Sequence, residues 1–555
     1  MLSRSIAFVG LGLIVGCAPE PSLAPVEPAR PNFLIILADD LGYSDLSALG
    51  SEIRTPSIDS LAETGVLFTH FHVAPNCSPT RAMLLSGTDT HPAGLGTMAG
   101  DPDENQQGRP GYEGFLSDRV VTVSSLLREA GYYTAMAGKW HLGVTSELSP
   151  ESRGFDEAFA IIPGGASHFS DAAPVLDGSA PIYRENGEDA TLPADFFSSR
   201  FYTDKIIEYI GNALETEQPF FAYAAYTAPH WPLQVPDADR ALYEGAYDDG
   251  YEALRERRIA NLVERDVVPD VVNAERASWV PSWESLSEDE RRIESRRMEI
   301  YAAMVENMDR NIGRLLDFLR QSGVYDDTFI VFLSDNGAEG NNIGTMYDNE
   351  EWIPTRFDNS YENMGRVDSY VWTGPGWAQA QSGPFRLFKS FTSEGGVRTP
   401  AIFSHPDLVT RTGRVDRFAS VKDIAPTLLE MAGVDHPDSF AGRDVAPMQG
   451  TSMAAYLSGD AATLHDADTV MGWELFGRRA IEKNDWKLIW LWEPYGSERW
   501  ELFNLAEDPS ESRDLSQQEP EKLEEMMAAW DTYVSENGVI VPAREMGYGL
   551  VDGTR

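Results

Sequence analysis

Asn32-Phe33-Leu34-Ile35-Ile36-Leu37-Ala38-Asp39-Asp40 is the stretch that decides the fold. Its apolar run is continuous rather than alternating, and Pro31 and Gly42 bound it. That pattern predicts a strand buried on both faces, as in parallel sheets. The run stops at two adjacent carboxylates. Open α/β sheets bind ligands outside the carboxyl ends of their strands, which makes Asp39 and Asp40 candidate metal ligands. Taken alone, the pair reads equally well as a solvated acidic turn.

The theme returns in Thr328-Phe329-Ile330-Val331-Phe332-Leu333-Ser334-Asp335-Asn336-Gly337. Two such strands would bring four hard oxygens to one cation from Asp39, Asp40, Asp335 and Asn336. Calcium tolerates irregular all-oxygen sites, with magnesium the runner-up. Between these strands the chain predicts a helix over 55–66, a strand over 67–74 and a helix over 118–131. A strand over 132–141 follows, with Lys139 and His141 at i, i+2 on one face of its end. A helix over 201–215 and a strand over 219–226 come next, and then His230 in a turn flanked by Pro229 and Pro232. Residues 237–285 and 341–383 read as irregular excursions. Ser287-Glu288-Asp289-Glu290 is a capping box opening a long helix to about Gln321, with Met298, Tyr301, Val305, Met308, Ile312, Leu315 and Leu319 as its core stripe. A further helix is expected over 421–433.

The expected fold is therefore α/β, a large mixed, mostly parallel sheet sandwiched by helices. After about Leu457 the pattern changes to short strands over 473–478, 479–482, 486–491 and 501–504, then a helix over 520–536. This reads as a smaller subdomain of antiparallel sheet plus helix. The expected organisation is a processing segment at 1–17, a tether at 18–31, a catalytic domain at 32–457, a subdomain at 458–545 and a tail at 546–555.

Asn76-Cys77-Ser78-Pro79-Thr80-Arg81-Ala82-Met83-Leu84-Leu85-Ser86-Gly87 reads as a loop entering a helix. Ser78 is the expected cap, Pro79 suits the first turn and Gly87 the stop. Cys77 would then sit just before a helix N-terminus, where backbone N–H groups favour anions. Arg81, one turn on, would point back at the same place. The plainer alternative is a buried structural cysteine beside a surface arginine.

The 555 residues are 42% hydrophobic and 11% aromatic, the composition of a globular protein. A formal net charge of −44 excludes nucleic acid as a natural partner. It also opposes long-range attraction of an anionic substrate, so any anion site must be a local cluster of cations. Arg4 followed by the short apolar run Ile6–Val15 is a processing signal rather than a membrane span. Ile14-Val15-Gly16-Cys17 resembles the lipobox of bacterial lipoproteins, which implies cleavage before Cys17, lipid on its sulfur and a membrane anchor. Ala18 after it resembles lipoproteins sent to the outer membrane, facing the periplasm. Without the lipid, the segment reads as an ordinary secretory signal. Five prolines between Ala18 and Pro31 suit an extended tether.

The Cys77–Gly87 run resembles the signature of the type I sulfatases, Cys-x-Pro-(Ser/Thr)-Arg-x-x-Leu-x-(Ser/Thr)-Gly. Gly138-Lys139-Trp140-His141-Leu142-Gly143, the segment carrying Lys389, Glu394-Gly395-Gly396-Val397-Arg398-Thr399-Pro400 and Trp500-Glu501-Leu502-Phe503-Asn504-Leu505 match further landmarks of that family in order. The resemblance is strongest to bacterial arylsulfatases and implies an alkaline-phosphatase-like fold. It implies oxidation of Cys77 to formylglycine by a formylglycine-generating enzyme. It also implies a calcium ion on Asp39, Asp40, Asp335 and Asn336, with modified Cys77 as fifth ligand. Hydrolysis of a sulfate monoester would follow, one hydroxyl of the hydrated aldehyde attacking sulfur with help from Asp335. Arg81, Lys139 and Lys389 would neutralise the sulfate. His230 would protonate the leaving oxygen, with Lys389 as a possible partner, and His141 would take the proton that releases sulfate. His168 is expected either to line the substrate pocket or to be structural. The alternatives are a phosphonate monoester or phosphodiester hydrolase of the same superfamily, a sulfated-glycan sulfatase, and a non-enzymatic glycan-binding lipoprotein.

Overall fold

A computed structural model describes residues 30–545 apart from 101, 177, 271–275 and 347–348. The expected signal with Cys17, nearly all of the tether and the 546–555 tail lie outside the described residues.

The opening stretch forms β1 (Asn32–Ala38), buried throughout. The sheet around it adds β2 (Val66–His72), β3 (Tyr133–Lys139), β4 (Glu157–Ile161), β5 (Tyr183–Glu185) and β6 (Glu188–Asp189). It is completed by β7 (Phe220–Ala225), β8 (Thr328–Ser334), β9 (Arg398–Ser404), β10 (Gly413–Val415) and β11 (Ala419–Ser420). The order is β10-β2-β9-β8-β1-β7-β3-β4-β5-β6, with β11 beside β2. Strands β8, β1, β7, β3 and β4 are mutually parallel, while β9 runs antiparallel to both its neighbours. Asn32 pairs with Thr328 and Ala38 with Ser334, so the two acidic strand ends finish level and side by side. A hairpin, β12 (Ser439–Phe440) with β13 (Arg443–Asp444), follows the sheet.

Helices cover both faces. They are α1 (Pro56–Thr64), α2 (Cys77–Ser86), α3 (Val123–Glu129), α4 (Ser198–Glu215), α5 (Gly250–Glu264) and α6 (Glu288–Gln321), followed by α7 (Asn349–Arg356), α8 (Pro375–Gln381), α9 (Glu394–Val397) and α10 (Ile424–Ala432). Phe33, Ile35 and Leu37 join a core with α2, α3 and α10, whereas Leu34, Ile36 and Ala38 join one with α1, α4 and α6. Each large apolar side chain so buried contributes about 1.5–3 kcal/mol. The whole stripe predicted on α6 is buried, and Ser287 and Glu290 close its capping box.

After α11 (Ala454–Leu457), β14 (Val470–Leu475), β15 (Arg478–Lys483), β16 (Trp486–Trp490) and β17 (Glu501–Asn504) make a four-stranded antiparallel sheet. Helix α12 (Pro520–Asn537) packs on it through Met526, Trp530 and Tyr533. Met471, Trp473 and Ala480 extend that sheet's other side into the main core. From Pro31 on, the chain is one compact unit.

Three local expectations are corrected. The cap of α2 is Asn76, whose Oδ1 accepts from the Cys77 N–H at 2.8 Å, so Cys77 is the first helical residue and Ser78 caps nothing. The 237–285 stretch holds α5, and the 341–383 stretch holds α7 and α8. Strand β3 ends at Lys139; His141 lies beyond it with φ +56, outside the regular alternation assumed for a shared face.

Candidate active site

Strand pairing alone assembles most of the site. Asp39–Asp40, Asp335–Asn336 and Lys139 leave the carboxyl ends of β1, β8 and β3, and His230 leaves the loop after β7. Helix α2 points its N-terminal Cys77 and Arg81 at the same end. Among the described residues, Asp39, Asp40, Cys77 and His230 bring potential ligand atoms within 4.8 Å of one another.

Each carboxylate has its cation. Lys139 Nζ donates to Asp39 Oδ2 at 2.7 Å. Lys389 Nζ lies 2.8 Å from Asp40 Oδ1, and Arg81 grips Asp335 Oδ2 through Nε at 3.1 Å and Nη2 at 2.7 Å. The third Arg81 nitrogen, Nη1, donates to the Lys139 carbonyl at 2.8 Å. Asn336 Nδ2 donates to Asp40 Oδ1 at 2.7 Å and the Asp40 N–H to Asp335 Oδ1 at 3.3 Å. Asp39 Oδ1 and Asn336 Oδ1 are buried acceptors with no hydrogen-bond partner. Such groups are costly unless a donor or cation meets them, so the oxygen donors here fit a hard divalent cation.

The electrostatics follow from burial and this charge pairing. Burial alone would raise the Asp40 carboxyl, but Lys389, with Lys139 behind it, holds it down at about 2. Burial, the Asp39 charge and Asp40 push Asp335 up to about 6 despite Arg81 and Lys139. Burial pushes the Cys77 thiol up to about 12, too high for a thiolate nucleophile at neutral pH. Burial and the neighbouring lysines hold His230 and His141 well below the ordinary histidine range, which keeps both rings neutral.

The proton positions can be read from partners. His230 Nδ1 lies 2.5 Å from the Trp231 carbonyl, which only accepts, so Nδ1 carries the hydrogen and Nε2 is bare. That Nε2 lies 3.7 Å from Asp40 Oδ2. The Gly164–Gly165 loop packs against both catalytic-candidate rings; a side chain at Gly164 would meet His141 at 2.9 Å. His168 is structural. It is buried, its Nε2 donates to the His230 carbonyl at 3.0 Å, and Ser198 Oγ meets its Nδ1 at 2.7 Å.

Several further residues complete the site, of which Glu339 had no sequence signal of its own. Glu339 meets Lys389 Nζ at 3.2 Å and accepts from Trp231 Nε1 at 3.3 Å. Asn76 caps Cys77 and donates to Ser390 Oγ at 3.1 Å. Gly337, Gly395 and Gly396 let the Asp335–Asn336 loop touch the loop bearing Lys389: a Cβ on Gly337 would sit 1.9 Å from the Gly395 carbonyl. Asp40, His141, Leu387 and Ser390 all adopt positive φ (68°, 56°, 59°, 74°), a concentration of strained backbone typical of functional sites. Beside His230, Trp231 stacks on its ring at 4.7 Å and continues into an apolar wall with Ile343, Tyr370 and Phe476, flanked by the partly buried Trp352 and Trp372.

Comparison with known proteins agrees with this geometry. A sulfatase family model matches residues 31–434, and a model of the C-terminal region of N-sulphoglucosamine sulphohydrolase matches 383–530. The chain is 44% identical to an uncharacterized sulfatase of Schizosaccharomyces pombe, over 93% of this chain and 95% of that one. It is 40% identical to the arylsulfatase of Klebsiella aerogenes, over 77% and 92%. Among solved structures, Ps i-CgsB in complex with k-i-k-neocarrahexaose superposes with a TM-score of 0.66 at 25% identity, covering 93% of this chain and 95% of that one.

Proposed function

The chain belongs to the sulfatase family of sulfuric ester hydrolases, and from that premise we propose that it hydrolyses aryl sulfates at the Cys77 site. The observation that carries the reading is the convergence of Arg81, Lys139, Lys389, His141 and His230 on Cys77, beside the orphaned acceptors of Asp39 and Asn336. In this reading Asp39, Asp40, Asp335, Asn336 and residue 77 hold the metal, calcium in preference to magnesium, and a formylglycine-generating enzyme has oxidised Cys77. When present, the cation supplies Lewis-acid polarisation of a sulfate oxygen, and the hydrated aldehyde supplies the attacking hydroxyl.

The chain's own residues do the rest. Arg81, Lys139 and Lys389 bind the sulfate oxygens and stabilise the charge that grows on them. Asp335, held on Arg81 and on the Asp40 N–H, orients the guanidinium. His230, anchored through Nδ1–H, has a bare Nε2 that takes up a proton from solvent when the anionic sulfate binds beside it and passes that proton to the leaving oxygen; His141 accepts the proton that releases sulfate. The apolar wall continuing from Trp231 suits an aromatic leaving group, and the charge of −44 disfavours polyanionic glycans. Comparing kcat/KM on 4-nitrophenyl sulfate, bis(4-nitrophenyl) phosphate and N-acetylglucosamine 6-sulfate tests this. The aryl sulfate should lead by at least about tenfold; a faster phosphodiester or sugar sulfate overturns it.

The same reading places the mature protein outside the cytoplasm, lipid-anchored through Cys17 and facing the periplasm. Radiolabelled palmitate should enter the wild-type chain in a bacterial host and not Cys17→Ala.

A further inference from the structure

A second cluster of ligating side chains lies away from the site, where β2 of the main sheet meets β15 of the C-terminal sheet. His70 and His72 stand two apart on β2 with ring centroids 5.1 Å apart, both against Phe418. Glu482 of β15 reaches between them: its Oε1 is 3.0 Å from His70 Nε2 and its Oε2 is 3.5 Å from His72 Nε2. Potential ligand atoms of the three lie within 4.8 Å of one another. All three residues are buried.

We propose that His70 Nε2, His72 Nε2 and Glu482 form a second metal site, separate from the catalytic one, that takes a zinc-class divalent cation. Two imidazoles and one carboxylate are a zinc donor set, and ligands about 2.0–2.2 Å from a tetrahedral ion stand roughly 3.3–3.5 Å apart, close to the spacing seen here. Glu482 Oε2 is buried without a hydrogen-bond partner. Among the described residues Glu482 has no lysine or arginine in ion-pair contact, only the two histidines. Its neighbours Glu394 and Glu511 share the buried Lys487, and Arg398 also pairs with Glu394, so no cation of this cluster is left for Glu482.

The surroundings also fit. Asp416 Oδ1 lies 3.9 Å from His70 Nδ1, too far for a direct hydrogen bond but within reach through one bridging water, on the side where a carboxylate commonly orients a ligating imidazole. His72 Nε2 faces Glu394 at 3.0 Å, so metal binding exchanges that hydrogen bond for the metal bond and leaves the ring hydrogen on the buried, unpartnered Nδ1, a cost the metal bond has to offset. Glu394 keeps Lys487 at 2.6 Å and Arg398 at 3.3 Å. An entry path and room for a fourth, water ligand come from a cavity of about 370 Å³ lined by His70, Glu482, Asp416, His465 and Asp485. A cation here would fasten the C-terminal sheet to β2, the strand that leads into Cys77.

The test is calorimetric titration of zinc chloride into the calcium-saturated full chain, with cobalt(II) spectra beside it. One equivalent of zinc should bind and raise the melting temperature. Cobalt should show ligand-field bands without a thiolate charge-transfer band, and these should persist in Cys77→Ala. His70→Ala and, as a milder change, Glu482→Gln should each weaken zinc binding by at least about tenfold while 4-nitrophenyl sulfate turnover in calcium confirms that the variants fold. Zinc binding that is absent, that vanishes in Cys77→Ala, or that is unchanged in both His70→Ala and Glu482→Gln overturns the proposal.

Discussion

Two buried networks of acids and bases stand a few residues apart on this chain, and they are built to different ends. At the strand ends, Asp39, Asp40 and Asp335 hold Lys139, Lys389 and Arg81 close, while Asp39 Oδ1 and Asn336 Oδ1 stay unpartnered. At the sheet joint, Glu394 alone holds His72, Arg398 and Lys487, and Lys487 also reaches Glu511. The first network's cations, Lys139 on Asp39, Lys389 between Asp40 and Glu339, and Arg81 between Asp335 and Asp39, lie at the strand ends, where an arriving anion can recruit them. The second spends its cations on tying β2, α9 and β16 together. Burying charge in pairs is stabilising only when the geometry is complete; the joint stops short of that at Glu482 Oε2, Glu511 Oε1 and His72 Nδ1, and the strand ends at Asp39 Oδ1 and Asn336 Oδ1, where substrate and metal are expected.

Removing the hub of the joint should cost most. Glu394→Gln leaves Lys487 and Arg398 short of a counter-charge, and urea unfolding should show a loss of about 3–5 kcal/mol. The folded fraction should keep a near-normal kcat on aryl sulfate, since Glu394 touches none of the cations at the strand ends. Lys389→Met should do the opposite. It should lower kcat/KM by about 10²–10³-fold, with a smaller stability loss than Glu394→Gln, because Asp40 keeps the Asn336 amide.

A third buried group sharpens the contrast through pH. Against the pull of burial, the hydrogen bond to Asp89 at 2.9 Å and the Glu474 charge 3.8 Å away raise His91 from 6.5 to about 9. Its folded-state value exceeds its unfolded one, so its contribution is complete below about pH 6.5 and is lost as pH rises through about 9. Wild-type stability should fall by about 3 kcal/mol across that window, and His91→Gln should flatten the profile. Smallest of all, Trp231→Ala should lower kcat/KM on 4-nitrophenyl sulfate by about two- to tenfold, and less on an alkyl sulfate, which has no ring to stack.

Much of this was legible in the sequence because the deciding elements are locally consistent. An unbroken apolar run ending in Asp39–Asp40, its repeat at Asp335–Asn336, and the Ser287–Glu290 capping box each point to one structure. Helix α5 was hidden because arginines occupy buried positions on it. Arg258 sits between Asp45 and Glu52, partners more than 200 residues away that make an apparently polar helix a core one. The cap of α2 was misassigned because Asn76, Ser78 and Pro79 all suit a helix start, and only the fold around Ser390 selects Asn76. Glu339 left no signal, since its role depends on Lys389 and Trp231 arriving from distant loops. His141 joins the site through a left-handed turn, a conformation that strand periodicity does not encode.

In the proposed mechanism residue 77 acts as an oxidised nucleophile rather than a thiol. The most direct measurement pairs intact-peptide mass spectrometry of the Cys77 segment with 4-nitrophenyl sulfate turnover, in protein made with and without a formylglycine-generating enzyme. Turnover should rise in proportion to the aldehyde fraction and drop by about 10⁴-fold or more in Cys77→Ala. Full turnover by protein whose Cys77 remains a thiol, or none by protein shown to carry the aldehyde, would contradict the account.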